Sequence, residues 1–122
     1  MARIHFFWKA SFWVLVLVTL WLSLVPAEQV PSAFQFWDKA QHALGFAALG
    51  FLGLMAYPGR MAALMWGLVL LGAGIEGAQW LTGWRHGDWQ DWVADCVGLF
   101  IGAVAWRFLL PALSRCLSPP AD

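Results

Sequence analysis

Six of the seven carboxylates in this 122-residue chain, Glu28, Asp38, Glu76, Asp88, Asp91 and Asp95, fall at or near the ends of apolar runs. Beside them stand Lys39, Gln41, His42, Gln79, Arg85 and His86. Residues of these types support three kinds of chemistry. Lysine and arginine hold anionic groups, and arginine grips phosphate or carboxylate through two parallel hydrogen bonds. Carboxylates paired with histidine can move protons or bind a divalent metal, for which His42, Glu76, Asp91 and Asp95 are the candidate ligands. The same groups can also do no more than fasten helices together through ion pairs and hydrogen bonds. No His-Glu-x-x-His motif, cysteine pair or phosphatase signature is present, so the sequence assigns no metal and names no cofactor. Ser11, Ser23, Ser32, Ser114 and Ser118 avoid the polar segments, which argues against a serine nucleophile.

The elements that must position these groups are membrane helices. Hydrophobic residues make up 61% of the chain and charged residues 11%, with ten tryptophans, which leaves too little polar surface to clothe a water-soluble domain. Four apolar runs lie between breaks, at about 10–25, 40–57, 61–81 and 92–110, bounded by Pro26, by Pro58-Gly59 and by Pro111. Each is close to the roughly 20 residues needed to cross about 30 Å of hydrocarbon. None shows the alternation of barrel strands, and backbone in lipid must satisfy its own hydrogen bonds, so the runs are read as helices. The expected fold is all-α, an integral membrane four-helix transmembrane bundle forming one domain over 1–122. A zero net charge gives no reason to expect a nucleic-acid partner.

Orientation follows from the basic residues. With the N-terminus inside, Arg3, Lys9, Arg60, Arg107 and Arg115 face the cytoplasm and only Lys39 and Arg85 lie outside. Both termini are then cytoplasmic, and the polar cluster is external. Trp37, Trp80, Trp84, Trp89 and Trp92 would form an aromatic belt at the outer interface, with Trp8, Trp66 and Trp106 nearer the inner one. A signal peptide is the competing reading of the first run. Its length, with Trp13 and Trp21 inside it, suits a retained helix better. Cys96 and Cys116, some 20 residues or about 30 Å apart along a helix, are too distant for a disulfide.

Helical spacing aims the polar groups into the bundle. Asp38, His42 and Gly45 share one stripe; Glu76 and Gln79 share another; Asp88, Asp91, Asp95, Gly98 and Gly102 follow steps of three and four on the last run. Gly98 and Gly102 form a small-xxx-small pair suited to close helix packing. Glu76 lies roughly 7–8 Å below the end of its helix at 1.5 Å per residue, where an unpaired charge costs a few kcal/mol. It is therefore expected to pair with Lys39 or Arg85. Asp88 is expected to cap the last helix, and Glu28 to be a solvated loop charge.

The pattern Asp38-Lys39-x-x-His42 opening one span, Glu76-x-x-Gln79 closing the next, and Arg85 followed by Asp88, Asp91, Asp95 and Gly98 resembles the VanZ-like family. The likeness covers about Val30 to Ala103. Asp95 departs from the asparagine common in that family and adds a carboxylate to the site. The resemblance implies a bacterial cytoplasmic-membrane protein with a cell-envelope role, in a family whose founding member is associated with low-level teicoplanin resistance. Together with the residues, it favours an accessory module whose ligand site comprises Asp38, Lys39, His42, Glu76, Gln79, Arg85, Asp91 and Asp95: Lys39, Arg85 and protonated His42 or His86 hold the anionic headgroup of a lipid or lipid-linked glycan, and the carboxylates orient them. A membrane enzyme acting on a lipid-linked phosphate and a purely structural polar cluster are the alternatives. Expected partners are membrane lipids, a lipid-linked envelope precursor among them; a homo-oligomer or a partner membrane protein is left open.

Overall fold

Helix boundaries follow the backbone chemistry of the breaks. The computed structural model describes residues 2–34 and 37–117, the side chains of Ala2, Phe34 and 112–117 excepted. Helix α1 runs Ala2–Leu24 and stops before Pro26; two single 3-10 turns, Ala27–Gln29 and Ser32–Phe34, lead to α2, Asp38–Ala56. Helix α3 spans Met61–Thr82, and α4 spans Trp89–Leu117. Gly83 ends α3 in the left-handed conformation, φ 76°, a role that suits glycine because it lacks a Cβ. Asp88 caps α4 as expected: its Oδ1 accepts the Gln90 amide at 2.9 Å and its carbonyl accepts the Asp91 amide at 2.9 Å.

Two boundaries differ from the sequence reading. Helix α1 begins eight residues before the first apolar run, since Arg3, His5 and Lys9 are polar but do not break a helix. Helix α4 passes through Pro111 instead of ending there. Proline's fixed φ is already helical, and within a membrane helix the single lost hydrogen bond is tolerated. The side chains of Arg115 and Cys116 lie outside the described residues, and Cys96 is a free thiol.

The four helices form a membrane bundle. Among the described residues α1, α3 and α4 are each long and apolar enough to cross a bilayer on their own. Helix α2 is less apolar because Asp38, Lys39, Gln41 and His42 occupy its first turns. It packs most extensively on α4 and also contacts α1 and α3; His42 is buried, Lys39 and Gln41 are half-buried, and Asp38 at the helix end is exposed. The core joins Phe12 and Val16 of α1, Phe46 and Leu49 of α2, Leu68 and Ile75 of α3, and Leu99 of α4. The outer surface is apolar too, with Trp13, Leu17, Trp66, Leu70, Phe100 and Phe108 exposed, as a lipid-facing surface requires.

Glycine sets the closest seam. A Cβ on Gly98 would collide with the Ala43 carbonyl oxygen, and one on Gly102 with that of Ala47. The small-xxx-small pair on α4 thus lies directly against the α2 backbone. This contact sits within one turn of His42 and Asp95 and fixes their separation.

Candidate functional site

The antiparallel helices bring the last turns of α1 and α3 and the first turns of α2 and α4 to one end of the bundle. There the polar stripes meet. Asp95 is fully buried, and its Oδ1 lies 2.9 Å from His42 Nδ1. Glu76 reaches the same place from α3, with Oε1 3.8 Å from His42 Nδ1. Its other oxygen, Oε2, accepts the Asp88 backbone amide at 2.7 Å. One step outward, Lys39 Nζ donates to Asp91 Oδ1 at 2.9 Å and to Asp88 Oδ2 at 3.2 Å, joining α2 to the start of α4. The Gln90 amide first, and then Lys39, hold the Asp88 carboxyl below the usual carboxylate range despite some loss of solvent.

Two glycines let these groups come together. A Cβ on Gly87 would strike the Glu76 carbonyl, so the loop lies flat on α3 and delivers the Asp88 amide to Glu76. A Cβ on Gly72, one turn below Glu76, would stand 2.7 Å from Asp95 Oδ2; only a bare backbone leaves room for that carboxylate. The spacing of Gly72 and Glu76 by four residues was the available sequence signal. Nothing in the local sequence marked Gly87.

The expected pairing of Glu76 with Lys39 or Arg85 is corrected. Lys39 is occupied by Asp88 and Asp91. Arg85 turns to α1, where Nη2 donates to the Leu22 carbonyl at 3.4 Å. Gln79 and Trp84 act alongside it: Gln79 Nε2 donates to the Ser23 carbonyl at 2.8 Å and Trp84 Nε1 to the Leu24 carbonyl at 3.0 Å. A helix C-terminus presents carbonyls without intrahelical partners, and three consecutive ones at the end of α1 attract these donors. Gln79 and Arg85 thus stand apart from the carboxylate cluster. Asp88, read from sequence as a cap, also belongs to the ion-pair network. Trp92, read as an interface residue, points inward and donates to the Val69 carbonyl at 3.1 Å. Glu28 is exposed, as expected.

Between α1 and α2 runs a groove of about 330 Å³. Leu15, Val18 and Leu44 are among its apolar lining, whereas Arg85, His42, Asp38 and Gln41 line it from the polar end. Its composition therefore changes along its length from hydrocarbon-like to charged. Among the described residues two sets of donor atoms are close enough to hold a cation, the atoms of each lying within 4.8 Å of one another: His42, Glu76 and Asp95, and Asp38, His42 and Asp91. The buried histidine between carboxylates is also suited to proton exchange.

No curated protein and no solved structure gives a significant match. The VanZ/LLP1 family model does match, over residues 4–110, a range that takes in α2 and α3, most of α1 and α4, and every residue of the polar cluster. The chain is therefore a membrane protein of the VanZ/LLP1 family.

Proposed function

We propose that this protein is a cell-envelope accessory module of the bacterial cytoplasmic membrane, whose groove between α1 and α2 holds an amphiphile with an anionic headgroup. A lipid or lipid-linked glycan phosphate is the matching chemistry. The observation that carries this reading is the groove itself, apolar along α1 and α2 and ending at Arg85 and His42. Lys39 is already engaged by Asp88 and Asp91, so among the described residues Arg85 is the basic side chain that lines the groove and can meet an anion there. Arginine suits phosphate through its planar fork of donors.

The reading is tested by native mass spectrometry of protein titrated with phosphatidylglycerol or phosphatidylcholine. The wild type should retain the anionic lipid preferentially, and Arg85→Gln should weaken that retention about tenfold, the loss of one charge-assisted contact worth roughly 1.4 kcal/mol. Equal retention of both lipids by both proteins would remove the groove from the account.

Orientation belongs to the same proposal. Arg3, Lys9, Arg60 and Arg107 against Lys39 and Arg85 support an external polar end and cytoplasmic termini. Reporter fusions after Leu81 should read as external and fusions after Pro58 as cytoplasmic. The reverse result would place the site on the cytoplasmic face. A second reading, an enzyme acting on the lipid-linked phosphate, draws support from buried His42 between Glu76 and Asp95. Conversion of a retained lipid-linked phosphate, in place of its unaltered release, separates the two.

A further inference from the structure

The geometry points to a divalent-cation site inside the polar end, formed by His42 of α2, Glu76 of α3 and Asp95 of α4. Three helices each contribute one donor, and the donor atoms lie within 4.8 Å of one another. Around an ion with bonds of about 2.0–2.2 Å, ligands stand roughly 3–4 Å apart, so even the widest separation the three groups can have needs to close by only about 1–2 Å.

Two buried oxygens mark the site independently of the clustering. Glu76 Oε1 and Asp95 Oδ2 have no hydrogen-bond partner, although Asp95 is 0% exposed and Glu76 only 9%. Buried carboxylate oxygens ordinarily find a donor, and leaving them without one is costly. The surroundings fix their placement. The Asp88 amide ties down Glu76 Oε2 and leaves Oε1 facing His42, while the Gly72 notch accommodates Asp95 Oδ2. Such outer contacts orient the ligands of protein metal sites.

Charge points the same way. Glu76, Asp88, Asp91 and Asp95 form one network with a single lysine, Lys39, because Arg85 is turned toward α1. A divalent ion on neutral His42 and two carboxylates would cancel the two inner negative charges where few water molecules could do so. One imidazole nitrogen with carboxylate oxygens suits zinc or manganese. The inference is separate from the amphiphile reading, since metal and lipid retention are measured independently and either can fail alone.

The test uses the full chain purified in detergent, stripped with a chelator and titrated with Mn²⁺ or Zn²⁺. Elemental analysis after desalting should find about one ion per chain, with a rise in melting temperature. Bound Mn²⁺ should show magnetic coupling to a histidine nitrogen. Glu76→Gln and Asp95→Asn should each weaken binding tenfold or more, whereas Glu28→Gln, on an exposed loop, should not. The wild-type stoichiometry and nitrogen coupling decide the matter even if a variant folds poorly. Failure to retain either ion, or unchanged retention in both Glu76→Gln and Asp95→Asn, would overturn the proposal. So would stability that follows pH and ignores both ions, because protons would then be balancing the carboxylates.

Discussion

Gly98→Ala should destabilise the bundle by about 2–3 kcal/mol, at the upper end of what overpacking costs. The added methyl would overlap the carbonyl oxygen of Ala43, a backbone atom that no side-chain rotation can move aside. Relief requires α2 and α4 to separate, and their seam is the most extensive helix contact in the protein. Gly102→Ala should behave alike, because its methyl would meet the Ala47 carbonyl one turn further along. The comparison that isolates the cause is Gly74→Ala on α3, where no atom lies within 4 Å of the new Cβ. That variant should melt near the wild-type temperature or slightly above it, given alanine's better helix propensity. Thermal unfolding in detergent, followed by size-exclusion fluorescence, measures all three. Equal melting temperatures for Gly98→Ala and Gly74→Ala would mean that the two helices are further apart than described.

His42→Ala should cost about 3–5 kcal/mol, the range found when one partner of a buried pair is removed. Its loss strands Asp95, a carboxylate with no exposed surface, beside a second one on Glu76. Asp95→Asn should cost less, about 1 kcal/mol, since the amide oxygen can still accept from the imidazole and the buried charge is gone. Glu76→Gln should also be mild, because the glutamine oxygen can take over the Asp88 amide held by Oε2. This order, His42→Ala well below Asp95→Asn and Glu76→Gln in melting temperature, is expected of a charge left unpaired. A cavity would also lower His42→Ala, so the cause is read from the double variant: Asp95→Asn should restore stability to His42→Ala if a stranded charge is responsible, and should restore none if lost volume is.

Much of this site is legible along the chain. Steps of three and four place His42 below Asp38, and Asp95 above Gly98 and Gly102, so the inward aim of His42, Asp91 and Asp95 follows from helical geometry, whereas the helix that Gly98 and Gly102 meet does not. The pairing of Glu76 does not follow. Seeking the nearest opposite charge overlooks backbone donors, and here the Asp88 amide, brought in by Gly87, takes the place reserved for a cation. Arg85 and Gln79 went elsewhere for a related reason: the unpaired carbonyls ending α1 carry no side-chain signal, yet they compete for donors. Pro111 marks another limit, because a proline stops helices in water more reliably than in a membrane.

Helices distant in sequence close a single polar site, and a double-mutant cycle on His42 and Asp95 measures that closure. Thermal stabilities of the wild type, His42→Ala, Asp95→Asn and the double variant yield the interaction energy of two side chains 53 residues apart in sequence and 2.9 Å apart in space. The coupling should reach at least about 1.5 kcal/mol, with the double variant recovering much of what His42→Ala alone loses. Additivity to within about 0.5 kcal/mol would show that the two residues do not meet, and would contradict the site as described.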